Sequence, residues 1–232
     1  MKRFIKKLFG FIFILLIIVL TVIVAGGYGK YRQAISLLPI DKAVSEIKNQ
    51  QTFTPLDEIS ETFINAMIAV EDRRFYKHKG VDIIALGRAV KKNIEKKSFS
   101  QGGSSITQQL AKNIYFMQDN SLSRKIAELL ITVKLEKELS KNDILELYFN
   151  VIYYGSGYYN IFDAAEGYFG KKPINLSDYE ATLLAGIPNA PSVYSLDNNP
   201  ELAKKRQKTV LKSMLSEKMI TKEYMDEILS MH

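Results

Sequence analysis

The longest apolar run of the chain lies near its N-terminus. Residues 8–25 carry no charged side chain and consist mostly of Phe, Ile, Leu and Val. A helix of about 18–22 apolar residues crosses the roughly 30 Å hydrocarbon layer of a bilayer. A cleaved signal peptide is the alternative, but its apolar region usually spans about 7–15 residues and ends in a small-x-small site. Because Ala25-Gly26-Gly27 matches that site poorly, the pattern predicts an uncleaved transmembrane anchor.

Beyond the anchor, apolar positions recur at helical spacing, and the alternation of apolar and polar residues that is typical of β-strands is almost absent. Thr54 and Pro55 are typical of an N-cap and a first-turn proline, so a helix is predicted to begin there. It should run into Glu71, which places that carboxylate near the C-terminal end of a helix at the rim of a cleft. The apolar stripe that supports this helix consists of Leu56, Ile59, Phe63, Met67 and Val70.

Capping residues mark the later helices. Ser105 and Gln108 form a capping box that predicts a helix start. Further starts are predicted at Ser123 (to near Leu139), Ser140 (to near Asn150), Ser177 with Glu180 (ending before Pro188), Asn199-Pro200 (through Leu215) and Thr221.

Two stretches resist the helical pattern. Residues 96–103 are polar with paired glycines and indicate a mobile loop over the site, while residues 153–160 indicate an irregular segment. The tyrosines of the second stretch could line a saccharide groove, with ordinary packing as the alternative for each of them. The sequence thus predicts a mainly α chain with an anchor over residues 1–30, a connector of weak helical character over 31–52, and a catalytic domain over 53–232.

The charge distribution bears on location and partners. Lys2, Arg3, Lys6 and Lys7 precede the apolar run, and fewer cations follow it, which favours a cytoplasmic N-terminus and an exported body. The net charge is +7, with a pI near 9.3. A basic solvated surface and nucleic-acid binding are alternatives, but a membrane-tethered exported chain favours anionic lipid headgroups and phosphate-bearing substrates. The absence of cysteine agrees with an exported protein without disulfides.

Two glutamates are the strongest candidates for chemistry. Glu71 follows the apolar residues 66–70 and precedes Asp72, Arg74 and His78, so partial burial should raise its pKa while an arginine keeps it ionised. A solvated helix-end glutamate is the alternative. Glu128 can share a helix face with Arg124 and Lys125, and taken alone this spacing indicates a surface ion pair worth about 0.3–0.5 kcal/mol.

Polar residues between the two glutamates form a candidate binding segment. Gln108, Gln109 and Lys112 lie in the first turns of a helix with a glycine-rich entry, which offers N–H groups to an anion or a sugar. The alternative is a polar first turn that binds nothing. The entry lacks the G-K-[ST] ending of a nucleotide P-loop.

Other chemistries find little support. His78 is one of two histidines, and a structural bond to a backbone carbonyl near Gly80 is favoured over catalysis. No His/Cys/Asp cluster has metal-ligand spacing, and no G-x-S-x-G elbow occurs. Residues 45–48 match S-x-x-K, but no K-T-G accompanies them, which argues against a penicillin-binding acyl-transfer site.

Taken together, these motifs resemble the peptidoglycan glycosyltransferases that polymerise lipid II (glycosyltransferase family 51), specifically the monofunctional, membrane-anchored members. The first family motif, E-D-x-x-F-x-x-H-x-G-x-D, is complete over residues 71–82. The second, G-G-S-T-I-T-Q-Q-L-x-K-N, matches residues 102–113 with Ser105 in place of Thr, and R-K-x-x-E matches residues 124–128. Segments 141–150, 164–171, 183–192 and 206–211 continue the pattern, with Asn160 where the family commonly has Gly.

The resemblance implies a lysozyme-like helical domain with a smaller membrane-associated lobe. Glu71 would act as the base on the acceptor 4-hydroxyl, the donor anomeric carbon would be inverted, and undecaprenyl pyrophosphate would leave. Glu128 would orient cations or a divalent ion. The implied substrate-binding residues are Arg74, Ser104, Gln108, Gln109, Lys112, Asn113, Arg124, Lys125 and Lys134, and the implied structural ones are Asp72, Phe75, His78 and Gly80.

The resemblance also implies partners and leaves alternatives. Lipid II, the growing glycan strand and membrane lipid are expected partners, cell-wall or division proteins could join them, and nucleic acid is not expected. No cofactor is expected to be obligatory, although Mg²⁺ or Mn²⁺ could assist, and no room is left for a transpeptidase domain. A lysozyme-like hydrolase or lytic transglycosylase and an inactive anchored scaffold are the alternative functions.

Overall fold

A computed structural model describes residues 2–96 and 103–231. Within these ranges the chain forms twelve α-helices and four short 3₁₀ helices, and no strand, which confirms the mainly α prediction. The 3₁₀ helices are Leu56–Glu58, Phe75–Lys77, Pro173–Asn175 and Ile187–Asn189. The α-helices are α1 (Lys2–Leu37), α2 (Ile40–Lys48), α3 (Glu61–Glu71), α4 (Ile83–Lys96), α5 (Ile106–Tyr115), α6 (Leu122–Glu138), α7 (Lys141–Phe149), α8 (Ile161–Phe169), α9 (Asp178–Leu184), α10 (Pro191–Tyr194), α11 (Pro200–Ser216) and α12 (Lys222–Ser230).

The core is built around α3, which packs against α9 and α11, while α5 packs against α6 and α7. Phe63, Met67, Leu110 and Ile131 are fully buried there. Each such side chain stabilises the fold by about 1.5–3 kcal/mol through removal of apolar surface from water. The arrangement is consistent with the lysozyme-like domain that the resemblance implies, and it fixes the end of α3 beside α5 and α11.

Helix α1 is long and apolar enough to cross a membrane, with a mean hydropathy of 3.3 in its best window within Phe4–Leu37. It continues without interruption to Leu37, and α2 follows, so most of residues 31–52 is more regularly helical than the sequence predicted. The portion of α1 after the apolar run packs against α6.

The contact between α1 and α6 depends on a glycine. A Cβ atom added to Gly27 would lie 2.4 Å from Ile126 Cβ and 2.7 Å from the Ser123 carbonyl oxygen. At Gly29, by contrast, an added Cβ would meet nothing within 4 Å. Only a residue without a side chain lets the two helix backbones approach this closely.

Most predicted helix starts are confirmed. The Ser105, Ser140 and Ser177 side chains accept hydrogen bonds from the third residue of their helices in complete capping boxes, and Thr221 caps α12. Helix α11 begins at Pro200 after Asn199. Residues 153–160 form no regular element. The predicted loop over residues 96–103 falls mostly on residues 97–102, outside the described residues.

Two predicted starts are wrong. The helix leading to Glu71 begins at Glu61, because the extended backbone of Ile59 (φ −112°, ψ 139°) separates it from the 3₁₀ helix that follows Pro55. The cap of α6 is Ser121, not Ser123. The Ser121 side chain accepts a hydrogen bond from the Arg124 N–H at 3.2 Å.

Candidate active site

Glu71 is the last residue of α3, and its carboxylate faces a cleft. Its side chain is only 10% exposed. Oε2 accepts a hydrogen bond from Gln109 Nε2 at 2.9 Å, and Oε1 lies 3.8 Å from Arg206 Nη2. Burial raises the pKa of Glu71, while the Gln109 hydrogen bond and the Arg206 charge partly oppose that rise. The result is a carboxylate that binds a proton more readily than a solvated glutamate.

The cation beside Glu71 differs from the sequence expectation. Arg74 forms an ion pair with Asp82, with 3.1 Å between Nε and Oδ2, so it does not neutralise Glu71. Arg206 of α11 takes that place. The signal for it was present in R-Q-K-T-V-L over residues 206–211, but a sequence pattern does not tell which distant helix meets Glu71.

Gln109 is held from both sides. Its Oε1 accepts a hydrogen bond from the Tyr148 hydroxyl at 3.0 Å, which orients the amide so that Nε2 donates to Glu71. Burial raises the pKa of Tyr148 well above its usual value, so this hydroxyl stays protonated and donates. Gln109 therefore positions the carboxylate. The side-chain amide of Asn113 donates a hydrogen bond to the backbone carbonyl oxygen of Gln109 at 2.9 Å.

The residues predicted to be structural surround a buried pair. Asp72 accepts a hydrogen bond from His78 Nε2 at 2.9 Å and another from the Ile106 N–H at 3.1 Å. Burial raises the pKa of Asp72, and the His78 hydrogen bond opposes the rise. The pair ties the first motif to the N-terminus of α5.

His78 differs in detail from its prediction. Its Nδ1 accepts a hydrogen bond from the Gly80 N–H at 3.1 Å rather than bonding a carbonyl, which leaves the proton on Nε2. Gly80 has a φ of 89°, and an added Cβ would lie 2.6 Å from Thr132. Phe75 is fully buried, and Lys141 lies 4.4 Å from its ring centroid.

Glu128 is not part of a surface ion pair. Its side chain is fully buried, with Oε1 2.8 Å from Arg124 Nη1 and Oε2 2.8 Å from Lys125 Nζ. Arg124 is 12% exposed and Lys125 is 49% exposed, so the second cation reaches solvent. Two cations share one buried carboxylate, which leaves a net positive charge at this end of α6.

One polar contact joins the cleft that contains Glu71 to a cation paired with Glu128. Ser104 lines the cleft that contains Glu71, and its hydroxyl accepts a hydrogen bond from Lys125 Nζ at 3.4 Å. Glu128 itself is buried and does not line the cleft. The α6 cations therefore approach the cleft through Lys125.

The remaining predicted binding residues differ in their availability. Gln108 is engaged in the capping box, where its Oε1 accepts a hydrogen bond from the Ser105 N–H. Lys112 is exposed and forms no ion pair within the described part of the chain. Lys134 pairs with the exposed Glu138 and lies outside the cleft lining.

The cleft encloses about 470 Å³ and is more cationic than the sequence suggested. Arg88 and Lys92 of α4 face it, and neither was singled out from the sequence. Their signal was the four-residue spacing on a helix whose other positions are largely apolar. Besides Glu71, its lining includes Asp72, Arg73, Asp82, Ala85, Arg88, Ala89, Lys92, Ser104, Asn189, Arg206 and Ser213.

The arrangement of possible donor groups bears on metal binding. Across residues 2–96 and 103–231, no group of three or more His, Asp or Glu side chains is arranged to hold a metal ion. Both oxygens of Glu128 already contact cationic nitrogens. This carboxylate is thus poorly suited to bind a divalent cation as well.

Comparison with known proteins gives the family. Residues 40–215 match the family described as Transglycosylase. Penicillin-binding protein 1A of Neisseria lactamica is 47% identical over 183 residues, which are 79% of this chain and 23% of that protein. Penicillin-binding protein 1A of Aquifex aeolicus is 46% identical over 175 residues, 75% of this chain and 24% of its own.

The chain spans about a quarter of the length of these curated relatives. The crystal structure of penicillin-binding protein 1A from Haemophilus influenzae aligns with a TM-score of 0.39 and 31% identity, covering 55% of this chain and 16% of that one. The family assignment rests on the sequence matches alone. By the extent of the family match and the identity to these relatives, the chain belongs to the transglycosylase family.

Proposed function

We propose that the chain is a peptidoglycan glycosyltransferase of cell-wall synthesis that polymerises lipid II into β-1,4-linked glycan. The observation that carries this proposal is the buried carboxylate of Glu71, positioned by Gln109 and Arg206 in a cleft lined with cations. A raised pKa brings a carboxylate closer to the proton affinity that a general base needs near neutral pH. The cations suit a substrate that carries a diphosphate.

In the proposed reaction, Glu71 takes the proton of the acceptor 4-hydroxyl. The acceptor oxygen forms a bond to the anomeric carbon of the donor, and the bond from that carbon to the diphosphate oxygen breaks. The configuration at the carbon inverts, and the electron pair leaves with undecaprenyl pyrophosphate. A diphosphate that is neutralised by cations leaves without protonation, so one base is enough, whereas a glycoside hydrolase also needs an acid.

The α6 cations and Lys112 are proposed to receive the leaving diphosphate. Glu128 then holds Arg124 and Lys125 in place, a role supported by its complete burial and its two 2.8 Å contacts. Because those contacts occupy both carboxylate oxygens, we assign Glu128 to these cations rather than to Mg²⁺ or Mn²⁺.

The membrane is the proposed location of the reaction, with α1 spanning it from a cytoplasmic N-terminus and the catalytic body exported. A second membrane contact is supported by α4. Large apolar side chains on one side of this helix are exposed, at spacings of three or four residues. They are Ile83 (77% exposed), Leu86 (47%), Val90 (51%) and Ile94 (72%).

The decisive test is turnover of the purified full chain on lipid II in detergent, with products separated on a gel. Lipid II alone should give polymer, and preformed glycan should remain uncut. Cleavage of preformed glycan without polymer would favour the lytic alternative. The Glu71→Gln variant should lose polymerisation but still bind lipid II, and normal turnover by this variant would make the base assignment wrong.

The leaving-group assignment has its own test. Replacing Lys112 or Arg124 by Ala should lower kcat/KM. The fall should correspond to a loss of transition-state stabilisation on the order of 2–4 kcal/mol if each cation acts in the transition state. Lys42→Ala, which removes an exposed lysine from α2, serves as the matched control. Unchanged kinetics in both site variants would move the leaving-group site elsewhere.

A further inference from the structure

Tyr148 lies outside the cleft but is connected to it. The residue belongs to α7, is fully buried and does not line the cleft. Its hydroxyl donates a hydrogen bond to Gln109 Oε1 at 3.0 Å, and Gln109 Nε2 donates one to Glu71 Oε2 at 2.9 Å. One side-chain amide therefore joins a buried hydroxyl on α7 to the proposed base at the end of α3.

The two ends of the Gln109 amide are chemically different, and each meets a partner that fits it. An ionised Glu71 only accepts hydrogen bonds, so it requires the NH₂ end. Burial raises the pKa of Tyr148 well above its usual value, so the hydroxyl stays protonated and fits the carbonyl end. If the amide turned over, Oε1 would face the carboxylate and the Tyr148 hydroxyl would lose the acceptor that it has in the structure. Tyr148 thus adds to the free-energy cost of the turned amide.

The orientation of this amide decides which form of Glu71 is stabilised. The NH₂ end facing Oε2 stabilises the carboxylate, and this hydrogen bond opposes the rise in the pKa of Glu71 that burial causes. A turned amide would instead present its carbonyl oxygen and accept a hydrogen bond from protonated Glu71. That proton would point to Gln109, and Glu71 could not take another from a substrate.

The other carboxylate oxygen of Glu71 has no contact that could replace this one. Oε1 is buried and has no hydrogen-bond partner among the residues that the structure describes. Arg206 Nη2 lies 3.8 Å from it, which is close enough for attraction between charges but too far for a hydrogen bond. The ionised form of Glu71 therefore depends on the Gln109 hydrogen bond.

We propose that Tyr148 is a positioning residue for the base, because it holds the Gln109 amide with its NH₂ end toward Glu71 and so keeps the carboxylate ready to accept a proton. This inference rests on the function proposed above and adds a residue of α7 to the site. Tyr148 does not reach the cleft, so its loss should change how Glu71 titrates and leave the binding of lipid II unchanged.

A substitution at Tyr148 alters none of the charges around Glu71. Arg206 of α11 lowers the pKa of Glu71, and Asp72 raises it. Helix α9, which also packs against α3, brings Asp178 to Thr62 at the opposite end of that helix. The other charged groups that line the cleft are Arg73, Asp82, Arg88 and Lys92. A changed titration of Glu71 in a Tyr148 variant thus reports on the Gln109 amide.

The experiment measures kcat and KM for lipid II with the full chain in detergent, at pH values from about 4 to 9, which bracket the ordinary pKa of a glutamate. The variant is Tyr148→Phe, which keeps the ring and removes the hydroxyl. Tyr154→Phe is the matched control, because Tyr154 is also fully buried and its hydroxyl donates to the Phe149 carbonyl oxygen at 3.4 Å. Circular dichroism and thermal melting verify that each variant is folded.

Tyr148→Phe should move the acid limb of the kcat/KM profile to higher pH by about one unit, because Glu71 holds a proton more readily once the amide can turn. On that limb the rate should be about tenfold lower than in the wild type, and it should recover at higher pH. KM should change less than about twofold. Tyr154→Phe should reproduce the wild-type profile. An unmoved limb overturns the proposal, and so does an equal loss of rate at every pH, which would indicate a purely structural role.

A second substitution tests whether the effect passes through Gln109. Gln109→Leu removes the amide and should itself move the acid limb to higher pH, because the carboxylate loses its donor. Adding Tyr148→Phe to Gln109→Leu should move the limb no further, since the hydroxyl then has no amide to hold. A full additional shift in the double variant would overturn the assignment, because Tyr148 would then act on Glu71 by another route.

Failure of the polymerase function can be told apart from failure of this positioning role. If the wild-type chain makes no polymer, the proposed function fails, and the titration of Glu71 still decides the question. Isotope-edited NMR of the glutamate-labelled chain follows the Glu71 carboxyl carbon, whose signal is identified by its absence from Glu71→Gln. A titration midpoint raised by about one pH unit in Tyr148→Phe supports the role, and equal midpoints overturn it.

Discussion

Replacing Glu71 by Gln should stabilise the folded chain at neutral pH even though it removes the proposed base. Burial raises the pKa of Glu71 in the native state, whereas in the unfolded chain the group titrates near its ordinary value of about 4.3. Between these two pKa values the native state binds more protons than the unfolded state. Stability therefore falls as the pH rises through that window, and the lost stability is not regained above it.

The magnitude follows from the contacts of the carboxylate. Each unit by which the pKa is raised corresponds to about 1.4 kcal/mol of lost stability at neutral pH. Gln keeps an acceptor for the 2.9 Å hydrogen bond from Gln109 and nearly the same volume. It leaves Arg206 without its anionic neighbour, which reduces the gain. We expect a net stabilisation, and each kcal/mol of it should raise the melting temperature by roughly 2–4 °C for a chain of this size.

The assay is thermal unfolding in detergent at a series of pH values from about 4 to 8, which brackets the ordinary pKa of a glutamate. The curves of the wild type and of the Glu71→Gln variant should converge at the acid end, where both side chains are neutral, and separate as the pH rises. Glu46→Gln, at an exposed carboxylate paired with Lys42, should show no comparable separation. A Glu71→Gln variant that is less stable than the wild type at the alkaline end, with no difference at the acid end, would refute the claim that burial dominates this pKa.

Three further predictions concern the support of the site. Glu128→Gln should lower the free energy of unfolding in urea by about 3–5 kcal/mol, because Arg124 loses its buried partner. Glu138→Gln, at the surface of the same helix, should lower it by under about 1 kcal/mol. Equal losses in the two variants would contradict the buried pair. Ser105→Ala should lower the free energy of unfolding by about 1 kcal/mol through loss of the α5 cap, and Ser105→Thr should restore most of it. An unchanged free energy of unfolding in Ser105→Ala would show that the cap does not stabilise the chain. Gly27→Ala should lower the melting temperature, because overpacking at the helix contact should cost about 1–3 kcal/mol of stability. Gly29→Ala should leave the melting temperature unchanged. Similar melting temperatures of the two variants would exclude the close helix contact.

The sequence predicts best what short stretches of chain determine. The α5 start at Ser105 and the position of Glu71 at a helix end were both predictable, because capping and apolar periodicity act within a few residues. The start of α3 was not, since the extended conformation of Ile59 depends on packing; the Ser60 N–H after it donates to the Pro173 carbonyl oxygen at 3.1 Å.

Contacts between distant segments were the main gap. The sequence placed Arg74 beside Glu71, but the guanidinium found there belongs to Arg206, and Arg74 pairs with Asp82. The buried state of Glu128 was equally hidden, because an i,i+4 pattern looks the same on a surface helix and on a packed one. Which side of a helix is covered is decided by the fold, not by the spacing of its charges.

The glycine contact between α1 and α6 has a mechanical consequence. A helix that touches its neighbour at Gly27 cannot swivel in the bilayer without carrying Ile126 and the start of α6 along. Bilayers of different thickness tilt a spanning helix by different amounts. We therefore expect turnover in vesicles to vary with acyl-chain length in the native chain, and to vary less once the two helices are forced apart.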